Sequence, residues 1–363
     1  MDDKRAEIGL HADPRKRALA LDALRGIAAL AVVAHHVAYE ESIPLLFGHA
    51  FLAVDLFFVM SGVVIGRAYE PALRSATLSF GQYVKVRLVR LYPTIALGAL
   101  VGFAAVLILG LSLRFPLWEA LLAQLFFIPL FGVGFDVFLL NGVQWSLFFE
   151  LAANFVHAAF AKWLTTPALA LVVIIALPLY IFSVFFYQTG STGPEVGNFL
   201  GGFPRVGYSF AVGLLVNRLA GRGALRIPKL PFLPLALVVF AVLAAPLANT
   251  GRLALTYDVI AVSVVIPCLV ALATVATVPA WAVSGALWLG AISYPLYALH
   301  YPLLRMMSAL IIAPGAPGLL KLAGWATIIL ACVAIAWAVN RWFEPQARRL
   351  LSRRLPRLRR ADA

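Results

Sequence analysis

Three observations predict an all-α, polytopic integral membrane protein of about ten transmembrane helices. The 363 residues are 63% hydrophobic and 12% charged, roughly half the charged fraction of a soluble domain. The mean hydropathy is +0.93, and the apolar residues fall into runs close to the ~20 residues that a helix needs to cross hydrocarbon. Lysine and arginine collect in alternate connectors, the pattern that fixes sidedness in a bilayer. The net charge of +13 therefore speaks for membrane topology, not for nucleic acid. The connectors are short, so the chain divides into a basic N-terminus (1–20), one membrane domain (21–343) and a basic tail (344–363). Cys268 and Cys332 lie inside apolar runs without a CxxC, so no redox or metal site is expected.

The first span, about 21–39, follows Lys4, Arg5, Arg15, Lys16 and Arg17 and carries no cleavage site, so it stays as an outward-running helix. The connector at Glu40–His49 has no basic residue, and the second span, about 51–69, returns inward. A segment with Arg67, Arg74, Lys85, Arg87 and Arg90 precedes the third span, about 91–111. The stretch 113–143 has an apolar core of only Leu121–Phe131, broken by Pro129 and a glycine-rich turn. It is too short to span and reads as a re-entrant or interfacial piece. Spans follow at about 144–161, 167–187, 200–217, 231–248, 253–276, 283–312 and 320–340. With this assignment only Arg25, Arg114, Arg205, Arg252, Arg305 and Lys321 of the 29 basic residues fall outside the inner segments. Making 113–143 a full span inverts everything after it and loses that bias.

Ionisable groups at membrane depth are costly and mark cavities or partners. The first span carries Asp22 and Arg25 at one end and His35 and His36 at the other. Arg25 and His36 are eleven residues apart, so they share one stripe of the helix with ~16 Å between them. Further such groups are Asp55, Glu150, His157, Arg205, Asp258, His300 and Arg305. In Tyr83–Pro93, Lys85, Arg87 and Arg90 cluster just before a span, a grouping suited to phosphate as well as to lipid headgroups.

These residues resemble the membrane-bound acyltransferase-3 family. LDALRGIAALAVVAHHV has the family's arginine, ten residues, then histidine, at Arg25 and His36. VDLFFVMSGVVIG is similar to its second helix, YVKVRLVRLYP to its basic segment, WSLFFE to its W-S-L-x-x-E and ISYPLYALHYPLL to its late helix. Five motifs in the family's order run from about 20 to 345. The basic pair reads Lys85-Val-Arg87 where Arg-x-Arg is usual, and Leu151-Ala152-Ala153 stands where many members carry a second acid.

The resemblance implies acyl transfer, acetyl above all, from acetyl-CoA or another acyl-CoA donor to a hydroxyl of an extracytoplasmic or lipid-linked saccharide. The setting it implies is the bacterial cytoplasmic membrane, with both termini cytoplasmic. His36 is expected as general base, since a sugar hydroxyl needs a base of imidazole strength at hydrogen-bond range. Asp55 or Glu150 is expected to orient it. Arg25, Lys85, Arg87 and Arg90 are expected on the donor phosphates. The alternative is a non-enzymatic transporter or flippase of a lipid-linked sugar, which buries charge in a similar way but tends to show two similar halves with broken helices. No such repeat is present.

Overall fold

The first apolar run becomes α1 (Leu19–Glu40). A 3-10 turn at Ala50–Leu52 leads into α2 (Ala53–Ala68) and the short α3 (Glu70–Arg74). Next come α4 (Phe80–Ile108), α5 (Leu117–Leu125), α6 (Gln144–Phe160), α7 (Thr166–Tyr187), α8 (Gly202–Gly221) and α9 (Phe232–Leu243). One π-helical turn, Ala261–Val265, joins α10 (Arg252–Ile260) to α11 (Ile266–Ala273). The chain closes with α12 (Val283–Ile311), α13 (Gly318–Ala338), a second π-helical turn at Val339–Phe343, and α14 (Glu344–Ser352). This computed structural model describes residues 19–41, 47–132, 135–248, 250–313 and 315–352. Most of the expected basic N-terminus and the end of the expected tail lie outside those residues. Among the described residues there is no strand, only two isolated bridges, Asp136 with Glu195 and Pro231 with Thr277.

Among the described residues, eight helices are long and apolar enough to cross a membrane. The other two expected spans are helices of 17 residues (α6) and 12 residues (α9). α6 is at the lower limit of a crossing and α9 is below it, so the count of ten is not reached. Ser146 at the start of α6 meets Tyr297, and His157 near its end meets Glu70. Pro231, before α9, bridges to Thr277, while Phe240 near its end packs on Phe47.

Two boundaries differ from the sequence expectation. The third span begins at Phe80, not near 91, because Ser79 and Gln82 form a reciprocal capping box that starts the helix early. Lys85, Arg87 and Arg90 therefore stand on a helix. The last span continues past 340 through the π-helical turn into α14, so the first part of the basic tail is ordered against the bundle.

The stretch 113–143 holds the nine-residue α5 and otherwise irregular backbone, as expected for a piece that does not span. Irregular backbone at this depth persists only when protein satisfies its polar groups. Buried Gln124 does so: its amide nitrogen donates to the Asn141 carbonyl (3.1 Å) and to Gln144 Oε1 (2.8 Å), and its oxygen accepts the Leu140 N–H (3.3 Å). Asn141 Nδ2 in turn donates to the Ala298 carbonyl on α12 (2.8 Å).

Small residues let the helices that carry the site approach closely, as in many membrane bundles. A Cβ at Gly62 on α2 would lie 2.2 Å from the Phe210 carbonyl oxygen on α8, and one at Gly213 would lie 2.1 Å from the Val59 oxygen. On α1, a Cβ at Gly26 would meet Leu289 of α12 at 2.4 Å. Further along, His36 meets His300. α1 and α12 therefore run parallel and in register, which sets two histidines from distant sequence side by side.

Candidate active site

His36 occupies the last two turns of α1, where the ring of His300 lies 5.0 Å from it and that of Tyr301 5.1 Å, both edge-on. His300 Nδ1 faces two carbonyls of its own helix, Tyr297 at 2.8 Å and Leu296 at 3.1 Å. That nitrogen therefore bears the proton, and Nε2 is a lone pair. His300 Nε2 lies 3.3 Å from His36 Nδ1, which also lies 2.9 Å from the Val32 carbonyl. Two acceptors converge on His36 Nδ1, so the proton sits there and His36 Nε2 is left as an open lone pair. This tautomer is assigned from the partners. The arrangement leaves one basic nitrogen free to take a proton from a bound hydroxyl. His35, on the adjacent face, donates from Nδ1 to the Phe47 carbonyl (2.8 Å) and holds the following turn.

Neither carboxylate expected beside His36 reaches it; among the described residues His36 makes no hydrogen bond to an acid. Asp55, at the start of α2, faces α8. Its oxygens accept from Arg205 Nε (3.0 and 3.1 Å) and Nη2 (2.6 Å), and both side chains are 0% exposed. Arg205 also donates to the Thr192 and Phe51 carbonyls and lies over the Trp145 ring at 5.4 Å. Trp145 is thus packed on a buried cation. Glu150, a turn and a half into α6, accepts from Ser61 Oγ (2.8 Å) and pairs with Arg87 Nη2 (3.4 Å). It belongs with the arginines.

At the opposite end of α1, Arg25, Arg87 and Arg90 come together. Arg90 has Arg87 and Arg25 as neighbouring charges, and also Arg348 from α14. Arg87 is only 4% exposed, and its Nε has no partner among the described residues. Lys85 is exposed because two residues along a helix turn it about 200° from Arg87. Of the four cations expected on the donor, three converge and Lys85 faces away. Sequence reasoning missed Arg348, which looked like one more anchor in a basic tail, and the buried pair His49–Asp258 (2.7 Å). His49 and Asp258 are 209 residues apart, and Arg348 lies on a polar helix that no apolar run marks, so no local pattern exposed them.

The five motifs meet through their own side chains. Ser61, Glu150 and Arg87 join three of them, and Tyr297 hydroxyl to Ser146 Oγ (2.5 Å) and His300 to His36 join the rest.

At the Arg25 end, outside the spans, Glu70 of α3 receives both oxygens' worth of hydrogen bonds from Arg218 Nε (3.1 Å each) and one from His157 Nε2 (3.2 Å). Burial pushes its carboxyl pKa up, but the His157 and Arg218 bonds outweigh it and hold it at about 2. The unfolded chain therefore binds the proton first, and this stabilisation is complete above the ordinary carboxylate range. It is lost as pH falls from about 4 toward about 2. The thermal midpoint in detergent is expected to drop over that window, and Glu70→Gln should flatten the slope. An unchanged slope in Glu70→Gln would assign the acid sensitivity elsewhere.

A family model described as an acyltransferase domain matches residues 19–341. The chain is 34% identical over 166 residues to "Protein 2 in picA locus" of Rhizobium radiobacter, a match covering 41% of this chain and 84% of that protein. No solved structure matches.

Proposed function

The chain belongs to the acyltransferase-3 family, and from that premise we propose that it moves an acetyl group from acetyl-CoA to a hydroxyl of an extracytoplasmic or lipid-linked saccharide. The observation that carries this reading is one helix with two ends: an arginine cluster with an unpartnered buried Nε at one, and a histidine with one free nitrogen ~16 Å away at the other. In this reading Arg25, Arg87 and Arg90 hold the donor phosphates by charge-assisted hydrogen bonds. Glu150 orients Arg87. Lys85, turned outward, rests in the headgroup layer of the membrane. The thin pantetheine arm lies along α1 toward His36.

The reaction is then balanced without another reactant. His36 Nε2 takes the proton of the acceptor hydroxyl as its oxygen attacks the thioester carbonyl. The C–S bond breaks, and the imidazolium returns the proton to the departing thiolate, releasing free coenzyme A and the ester. His300 keeps the His36 proton on Nδ1, so the nitrogen that faces the acceptor is the basic one. Asp55, locked to Arg205, braces the helix pair behind the site.

The setting is the bacterial cytoplasmic membrane with both termini cytoplasmic, which puts the arginine cluster on the side that holds coenzyme A. A reporter fused after Gly221 is expected to read cytoplasmic, and an external reading overturns this orientation. The activity is tested on purified protein with acetyl-CoA and a saccharide mixture, reading free thiol. Saturable acetyl-CoA binding with acceptor-dependent thiol release is expected; a protein that binds no acyl-CoA is not this enzyme.

A further inference from the structure

The last helix does not stop where the membrane span ends. α13, the π-helical turn and α14 form one continuous run, Gly318–Ser352. π-helical turns re-aim a helix and recur at functional sites. Here the turn lays α14 against α4, the helix that bears Arg87 and Arg90. Two polar bonds hold it there. Thr94 Oγ1 on α4 donates to buried Glu344 Oε1 (2.7 Å), and Asn340 Nδ2 in the turn donates to the Ala291 carbonyl on α12 (3.0 Å). Glu344 Oε2 accepts from Arg348 Nη2 (2.6 Å), which fixes the Arg348 side chain on the inner face of α14.

The resulting charge balance is uneven. Arg25, Arg87 and Arg348 each neighbour Arg90, and among the described residues Glu150 and Glu344 are the carboxylates that pair with members of this group. Two positive charges are left over. Among the described residues the Nε–H groups of Arg87 and Arg348 are both shielded and both without a partner, Arg87 on a buried side chain and Arg348 on one 26% exposed. An unpaired buried donor is costly, and more so when it is charged. An anion with several acceptor oxygens, such as a phosphate, would supply both the charge and the acceptors these groups call for.

We infer that Arg348 is a fourth ligand for the donor's phosphates and that α14 closes the donor site as a C-terminal clamp. This rests on the phosphate-bearing thioester donor proposed above. The exposed neighbour Arg349 has no part in it.

The test uses the full chain in lipid nanodiscs, with acetyl-CoA and with S-acetylpantetheine, which keeps the thioester and lacks every phosphate. Arg348→Ala should raise KM for acetyl-CoA by ~10-fold or more, the scale of one charge-assisted contact, with kcat within twofold. KM for S-acetylpantetheine should not move, and Arg349→Ala should match wild type with both donors. If Arg348→Ala does not fold, Arg348→Gln, which keeps a donor to Glu344, is read in its place. The inference is overturned if KM for acetyl-CoA is unchanged, or if it rises equally for both donors. It is also overturned if the variant instead loses co-purifying phosphatidylglycerol while KM stays the same, since the phosphate is then a lipid headgroup. Wild type that binds no acyl-CoA overturns the donor assignment itself and Arg348's role with it, whereas normal wild-type binding with an indifferent Arg348→Ala overturns only the clamp.

Discussion

His36→Ala is expected to lower kcat for acyl transfer by ~10²–10⁴, the range that a positioned general base contributes. The affinity for acetyl-CoA should stay within about threefold, because the arginine cluster proposed to hold the donor sits some three turns of α1 away. The expected loss is large because the described residues offer no substitute base. His300 Nε2 points at His36 Nδ1 and has its own Nδ1 pinned by two carbonyls. His35 is tied to the Phe47 carbonyl, and both acids expected nearby are committed elsewhere. Thiol release in a single-turnover assay, paired with donor binding by calorimetry, separates the two effects. Turnover within a few-fold of wild type removes His36 from the chemistry. A matched loss of binding and turnover means instead that the alanine disturbed the α1–α12 seam.

The second large effect is on stability. Asp55→Ala leaves the Arg205 guanidinium fully buried with only two carbonyls and two aromatic faces around it. Removing one partner of a buried pair costs about 3–5 kcal/mol, a large part of a typical folding free energy. The variant should give little monodisperse protein in detergent. Replacing both partners with apolar residues of similar size, Asp55→Leu with Arg205→Met, should recover most of the thermal midpoint, since a well-packed apolar pair often equals a buried ion pair. The double variant also tests whether Asp55 takes part in chemistry. If it folds and turns over, Asp55 is a brace; if it folds and is inactive, the acid acts in the reaction. A single Asp55→Ala that melts like wild type would show that the pair carries little of the fold.

Much of the architecture was legible in the chain because a bilayer imposes simple rules. Hydrocarbon thickness sets run length, and unsatisfied backbone forbids irregular spans. These rules located the helices, and they also identified 113–143 as too short to cross. The two ends of α1 were legible too, since Arg25 and His36 lie on one helix and helical geometry fixes their separation. The sequence also grouped the arginines near α4, though it could not show that Lys85 turns outward, because an earlier helix start at Ser79 sets the phase.

Run length and helical spacing were enough for the set of helices, the stripe on α1 and the motifs that carry the family resemblance. Only the tertiary structure decided which ionisable group faces which. Asp55 went to Arg205, 150 residues away, and Glu150 to Arg87 and Ser61. His36 was given a second histidine as partner, and a tail arginine came beside Arg90 through the π-helical turn. The physical reason is that pairing at membrane depth is settled by helix contacts through small residues such as Gly26, Gly62 and Gly213. Those contacts depend on rotation and register between helices distant in sequence, and no local pattern records either.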